Sequence, residues 1–274
     1  MVAVRPLSRS AAETVDPVSI LTQLGVSEPT RIRAVTGGWD TRLFRVEMGA
    51  NSYALRVFQP GQRHVWEREQ LAMGTAAAAR LPVPRVAGQT IWHDRPVLLL
   101  SWIPGDTIKQ RVVERPWRAI ALGRTMGRVH AAIHAIPAPA ALGDGALLHM
   151  DYHPLNVMAD AHRVTGVLDW ANATAGDPRA DLARTTVVLR LSHLPDAGQL
   201  LTLLGRRGIE LGWRLGYADV RGWPGGMAPF YAHAGAWMEA DLRPKLGRPG
   251  IPLTEADLSR VQRWTAHWRK RARR

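Results

Sequence analysis

The sequence contains no Cys, which excludes both a disulfide framework and a thiolate metal site. It has no apolar run approaching the roughly 18 residues that a membrane-spanning helix needs. The N-terminal stretch "MVAVRPLSRSAAETVDP" lacks the apolar core of about 7–15 residues that marks a signal peptide. These absences together predict a chain in a reducing cytoplasm with no membrane partner. Acid is also scarce: 23 Asp and Glu face 36 Lys and Arg, a net charge of +13. The basic residues are nearly all Arg. An excess of that size attracts phosphates, nucleic acid included. The densest charge lies in the tail "RWTAHWRKRARR", which reads more simply as a solvated helix end, where Arg suits the helix dipole, than as a nucleic-acid patch. No recognised nucleic-acid module accompanies it.

The chain's 274 residues, 46% of them hydrophobic, suffice for one large domain or two smaller ones with substantial cores. Asp16 before Pro17 predicts an N-cap and first helical position for a short helix "PVSILTQLGV". The period then changes. "RIRAV", "TRLFRVEM" and "SYALRVF" are apolar or alternating and rich in β-branched residues, with glycine turns between them, and predict an antiparallel meander. A helix is expected from about Val65 to Ala79. "LPVPRVAGQTIWHDRPVLLLSWIPG" predicts two further strands around "HDR", which makes a five-stranded sheet.

The composition shifts after Pro104-Gly105. In "PWRAIALGRTMGRVHAAIHAI" the residues Ala119, Leu122, Met126, Val129, Ile133 and Ile136 recur at three- and four-residue steps, the stripe of a half-buried helix. Further helices are expected at 181–193, 196–206, 226–243 and 254–270, the last opened by a near capping box of Thr254 and Asp257. The fold class is therefore α+β: a small antiparallel β lobe over residues 1–100, a hinge at 101–105, and a larger helical lobe over 106–274.

Chemistry concentrates in "LLHMDYHPLNVMADAHRVTGVLDWANATAGDPRADLA", residues 147–183. Asp151 and Asn156 are five residues apart with Pro154 between them, so they share a loop. "NVMAD" and "VTGVLDW" read as two strands of a hairpin that brings Asn156 near Asp169. Asn156 and Asp169 offer the hard oxygens that suit Mg²⁺ shared with substrate phosphates. Asp151 remains to accept a proton from an attacking hydroxyl. His130 and His134, spaced i and i+4, could also bind a metal, but the sequence indicates no third ligand.

"HMDYHPLN" with "VLDWANATAGDPRADLA" resembles the aminoglycoside phosphotransferase and choline kinase family, which shares the protein-kinase-like fold. The resemblance runs from about Arg31 to Arg190. It implies that Asp151 is the catalytic base, that His149 braces its loop, and that Asn156 and Asp169 hold Mg²⁺. It implies that Asp181 steadies the loop and caps the next helix, with Asp177 a turn residue. "TGGWDTRLFRV" occupies the place of the nucleotide loop, with Gly37 and Gly38 approaching phosphates. Arg56 stands where many kinases carry a phosphate-binding Lys, a change from a point charge to a planar fork. Its partner is expected to be Glu69, with Glu67 the rival. "LLLSWIPG" resembles the linker that hydrogen-bonds the adenine, implicating Ser101 and Ile103.

The implied activity is transfer of the γ-phosphate of ATP or GTP to a small-molecule hydroxyl. Only seven residues separate Asp169 from Asp177 and no A-P-E follows, so the peptide platform of a protein kinase is missing. A polycationic aminoglycoside would want an acidic pocket. The acidic residues beyond Asp181 are few, notably Glu210, Asp219, Glu239 and Asp241. Trp213, Trp223, Phe230, Tyr231 and Trp237 could line an apolar acceptor pocket, or could simply pack the helical core. The alternatives are a nucleotide-binding regulatory member of the same family, supported only by Arg56, and a nucleic-acid-binding protein, supported only by charge.

Overall fold

A computed structural model describes residues 15–26, 29–35, 41–160, 163–192, 199–248, 251 and 253–274, with side chains from 203 onward in the helix that begins at 199. It divides into two compact units. One takes the chain up to Arg63 together with Val86–Trp102; the other takes His64–Arg85 and Ile103–Arg274.

The first unit is built on five antiparallel strands: β1 (Arg31–Val35), β2 (Arg42–Met48), β3 (Asn51–Val57), β4 (Val86–Trp92) and β5 (Arg95–Ser101), in the order β1-β2-β3-β5-β4. The hairpin residues His93 and Asp94 both have positive φ, as a tight two-residue turn requires. Helix α1 (Pro17–Gln23) opens as expected, with the Asp16 side chain accepting from the Val18 amide. Its Ile20 and Leu21 pack with Val46, Leu55, Val57, Val97 and Leu99 of the strands. β5 is buried over Pro96–Leu100, which is why it reads as a continuous apolar run rather than an alternation.

The second unit starts with α2 (Arg63–Ala78) and continues through β6 (Asp106–Thr107), α3 (Ile108–Glu114), α4 (Ala119–Ile133), β7 (Ala146–Leu148), β8 (Val157–Ala159), β9 (Val164–Val167) and β10 (Thr174–Gly176). Helices α5 (Pro178–Leu191), α6 (Gln199–Arg221), α7 (Ala228–Leu242) and α8 (Glu255–Ala272) complete it. β6-β8-β9 and β7-β10 form two small antiparallel sheets. The short helix α3, capped by the reciprocal Thr107–Gln110 box, is not among the helices expected from sequence. The α8 capping box is complete, with Thr254 and Asp257 each accepting from the other's amide. The tail tryptophans pack inward: Trp264 donates to the Tyr231 carbonyl at 3.1 Å, and Trp264 and Trp268 contact the Tyr231 ring.

The main departure is α6. Its 23 residues run well beyond the expected 196–206, of which 196–198 lie outside the described residues. Gly205, Gly208, Gly212 and Gly216 punctuate its sequence and make it look broken. In the fold these glycines are a contact surface. A Cβ at Gly212 or Gly216 would fall on the α4 carbonyls of Ile120 or Arg124, and one at Gly123 or Gly127 on the α6 carbonyls of Ile209 or Trp213. The two backbones meet directly, a gain in packing that offsets the roughly 1 kcal/mol each helical glycine costs against Ala.

Gly127→Ala should therefore lower stability by about 2 kcal/mol or more. Gly74→Ala, on α2 with nothing within 4 Å of the added Cβ, should raise it by up to about 1 kcal/mol. Urea denaturation of both variants checks this. A Gly127→Ala midpoint equal to that of the parent would mean that α4 and α6 do not pack backbone to backbone.

Candidate active site

The loop from His149 to Asn156 joins β7 to β8, and the surrounding helices fix nearly every polar backbone atom at its start. Asp181 on α5 is fully buried and accepts from the amides of His149 at 2.6 Å and Met150 at 3.0 Å. One turn further along α5, Arg184 Nε donates to the Met150 carbonyl at 3.2 Å and the Thr185 hydroxyl to the Tyr152 carbonyl at 2.8 Å. The Tyr152 hydroxyl donates to the Met126 carbonyl of α4 at 2.8 Å. Met150 has a φ of +63°, a region a side-chain-bearing residue enters at a cost of about 1–3 kcal/mol. The bonds to both its amide and its carbonyl hold it there.

His149 is buried and its tautomer is set by its partners. Nε2 faces the Leu168 carbonyl at 3.0 Å and must donate, so Nδ1 accepts the Asp151 amide at 3.2 Å. Burial lowers its pKa, against the pull of Asp181, Asp151 and Asp169, which keeps the ring in the neutral form that this pair of bonds requires. His149 thus ties Asp151 to the residue before Asp169.

Asp151 itself is partly exposed. Burial works to raise its carboxyl, but the hydrogen bond and charge of His153, with His149 and Arg184 behind, outweigh it and leave Asp151 below the usual carboxylate value. Asn156 Nδ2 donates to the Asp151 carbonyl at 3.0 Å and to its Oδ2 at 3.2 Å, turning Asn156 Oδ1 the other way. The β8–β9 hairpin pairs Val157 with Val167, and the Leu168 amide donates to the Asn156 carbonyl at 2.8 Å. Asp169, the next residue, adopts a φ of +62°, a conformation Asp tolerates better than most residues, and the fully buried Trp170 follows it. His149, Asp151, Asn156 and Asp169 are therefore brought together. Asn156 Oδ1 and the Asp169 carboxylate are hard oxygens on residues linked through the Leu168–Asn156 backbone bond, a fit for Mg²⁺ completed by phosphate oxygens and water.

His130 and His134 also converge, but on Asp181. Each presents Nε2 at 3.2 Å from Asp181 Oδ2. Trp213 Nε1 donates to His130 Nδ1 at 3.1 Å, and the Tyr217 hydroxyl lies 3.0 Å from His134 Nδ1. The third ligand that the sequence did not indicate is thus present, within 4.8 Å. With both Nδ1 atoms engaged from α6, His134 Nε2 hydrogen-bonds the carboxylate, while His130 Nε2 lies equally close without hydrogen-bond geometry, so the cluster is a polar brace rather than a metal site. Burial and His134 lower the His130 pKa to about 4, Asp181 opposing. Burial alone would raise Asp181, but His130 and His134 hold it well below its ordinary value. The expected roles of two other carboxylates need correction. Asp177 is the α5 N-cap, accepting from the Arg179 amide at 2.9 Å, while Asp181 lies inside the first turn and braces the loop without capping.

The family described as "Phosphotransferase enzyme family" matches this chain over residues 31–148 and 139–223. The chain belongs to that phosphotransferase family. No curated protein matches its sequence. Solved structures similar in fold include aminoglycoside phosphotransferase APH(4)-Ia, at 13% identity and a TM-score of 0.65, covering 92% of this chain and 97% of that one. ADP-bound aminoglycoside phosphotransferase APH(2'')-Ib is similar at 13% identity and 0.59, covering 93% and 99%. Macrolide 2'-phosphotransferase MphH from Brachybacterium faecium is similar at 18% identity and 0.52, covering 93% and 96%. The fold is protein-kinase-like.

The other residues that the phosphotransferase resemblance singled out lie on several elements. Gly37 and Gly38 lie outside the described residues. Arg56 is half-buried on β3, its guanidinium 5.1 Å from the Phe58 ring. Of the two glutamates on α2, Glu69 is buried and Glu67 exposed. Ser101 ends β5 opposite Tyr53, and Ile103 packs over Gly166 of β9. Sequence reading missed Arg184 and Thr185. Their only signal was position, three and four residues after Asp181 on one helix face.

Buried His130 predicts acid sensitivity. Unfolded His130 takes up a proton below its ordinary value of 6.5, the folded form only near 4. Between those values the unfolded state binds more protons, so stability falls as pH falls, by on the order of 3 kcal/mol across the interval. His130→Gln should be less stable at pH 7 but flatter in urea midpoint from pH 7 to 4.5. A slope as steep as the parent's would remove His130 as the source.

Proposed function

We propose that this protein transfers the γ-phosphate of ATP or GTP to a hydroxyl of a small molecule, such as an antibiotic, an amino sugar or a metabolite alcohol. The observation that carries this is the loop in which Asp151 keeps a partly exposed, ionised carboxylate while Asn156 and Asp169 stand beside it with hard oxygens. Asn156 and Asp169 would hold Mg²⁺, which when bound neutralises charge on the phosphate oxygens. Arg56 and Gly37-Gly38 are assigned to the phosphates, Glu69 is assigned as the partner of Arg56, and Ser101 and Ile103 are assigned to the adenine.

Asp151 orients the acceptor hydroxyl and receives its proton as the oxygen–phosphorus bond forms and the bond to the β-phosphate oxygen breaks, releasing nucleoside diphosphate. His149 and Asn156 keep that carboxylate aimed, which lowers the entropy of alignment. His153 and Arg184 favour its charged form. Such an aligned acceptor of a proton contributes roughly 10²–10⁴ in rate.

Asp151→Asn should cut turnover by about 10² or more while leaving the thermal stabilisation by Mg²⁺-nucleotide nearly intact; equal loss of both contradicts its role. Asp169→Ala should lose the Mg²⁺-dependent part of nucleotide binding, and unchanged affinity removes it from the metal site. A phosphate-transfer screen over amino sugars, macrolides, choline-like alcohols and hydroxy amino acids identifies the acceptor. Nucleotide binding without transfer to any compound would favour the regulatory reading.

A further inference from the structure

Arg184 does more than brace the loop. Nε is spent on the Met150 carbonyl. The guanidinium carbon lies over the ring of Trp237 on α7, 4.1 Å from its centroid. Among the described residues its two terminal nitrogens make no hydrogen bond within the protein. Trp237 is 37% exposed, unlike the core aromatics Trp213 and Tyr231. The stack and the Nε bond fix the fork in one orientation, so little side-chain entropy remains to be lost when it binds an anion. Asp151 is among the carboxylates within reach of its charge.

A second observation concerns what a cationic acceptor would find. Of the carboxylates beyond Asp181, Glu210, Asp219, Glu239 and Asp241 each hold an Arg or Lys at 2.6 to 3.0 Å. Binding a polyamine sugar there would require breaking an existing ion pair.

We propose that Arg184, clamped by Trp237, is a specificity determinant that binds an anionic group, carboxylate or phosphate monoester, on the acceptor whose hydroxyl faces Asp151. This rests on the phosphotransferase reading and names its substrate class. A planar fork meets either anion with two parallel N–H···O bonds, places the hydroxyl at a fixed distance from the anion, and repels an ammonium at the same position.

The test uses the full chain loaded with Mg²⁺ and a non-hydrolysable ATP analogue, in three forms: parent, Arg184→Lys and Trp237→Leu. The nucleotide's own melting shift reports independently on the phosphotransferase reading. Probes are paired: gluconate with gluconamide and glycerate with glyceramide for the carboxylate arm, glycerol 3-phosphate with glycerol and glucose 6-phosphate with glucose for the phosphate arm, and kanamycin as the cation. At least one anionic probe should raise the parent's melting temperature more than its uncharged partner does. That difference should vanish in both variants. For a probe that accepts phosphate, KM should rise about tenfold or more with kcat changed less. Comparing each anion with its partner inside one variant cancels any general damage to the loop. A nucleotide shift with no selective response to any anionic probe overturns the proposal, as does preference for kanamycin, or selectivity that survives both substitutions.

Discussion

Everything chemical in the helical unit hangs on one buried carboxylate. Asp181 has no access to solvent, and an ion taken so far from water costs several kcal/mol unless donors surround it. Three donate to it, the His134 Nε2–H and two successive backbone amides, and the His130 ring edge lies 3.2 Å away. The amides are those of His149 and Met150, so the same bonds that make the charge tolerable also dictate where the loop starts and hold Met150 in a left-handed turn. Asp151 follows directly, and the neutral ring of His149 then fixes its amide. The candidate catalytic carboxylate owes its position to a second carboxylate thirty residues later.

That brace depends in turn on how closely two helices meet. On α4, Gly123 and Gly127 are followed by His130 and His134; on α6, Gly212 and Gly216 stand immediately before Trp213 and Tyr217. Both helices repeat at four residues, the spacing of one face. The glycines remove the side chains that would hold the backbones apart, and at that distance the Trp213 N–H and Tyr217 hydroxyl reach the two Nδ1 atoms. Without those contacts from α6 the imidazoles could present either nitrogen to Asp181. The close crossing therefore selects the tautomer, and the tautomer supplies the donors.

The range of each interaction decides how much of this was legible in sequence. The meander, the Asp16-Pro17 helix start, the Val157–Val167 hairpin and the Thr254–Asp257 box are local, and their residues sit within a few positions of one another. The grouping of Asp151, Asn156 and Asp169 was also readable, because one hairpin closes it. The true extent of α6 was not, since its glycines have meaning only against α4, about ninety residues earlier. The third partner of the histidine pair was hidden for the same reason. Asp177 and Asp181 exchanged capping duty because "GDPRAD" offers two carboxylates near a helix start, and only the fold shows that Pro178 occupies the first helical position.

Helix α5 turns one face wholly toward the loop. Asp181, Arg184 and Thr185 lie at i, i+3 and i+4, and each spends a polar group on the backbone between His149 and Tyr152. A face committed to holding the loop cannot vary with the acceptor unless one of its members has capacity left. Thr185 has a single hydroxyl hydrogen, already donated, and the oxygens of Asp181 are surrounded. Arg184 alone retains donors, because a guanidinium carries five N–H groups and only the one on Nε is engaged. The residue that extends α5 toward the acceptor is therefore a cation, and the chemistry it can recognise is set by its sign. What supports it comes from α7, through Trp237, which makes no bond to the loop itself. Fixed catalysis and adjustable specificity can in this way be carried by adjacent residues of one helix.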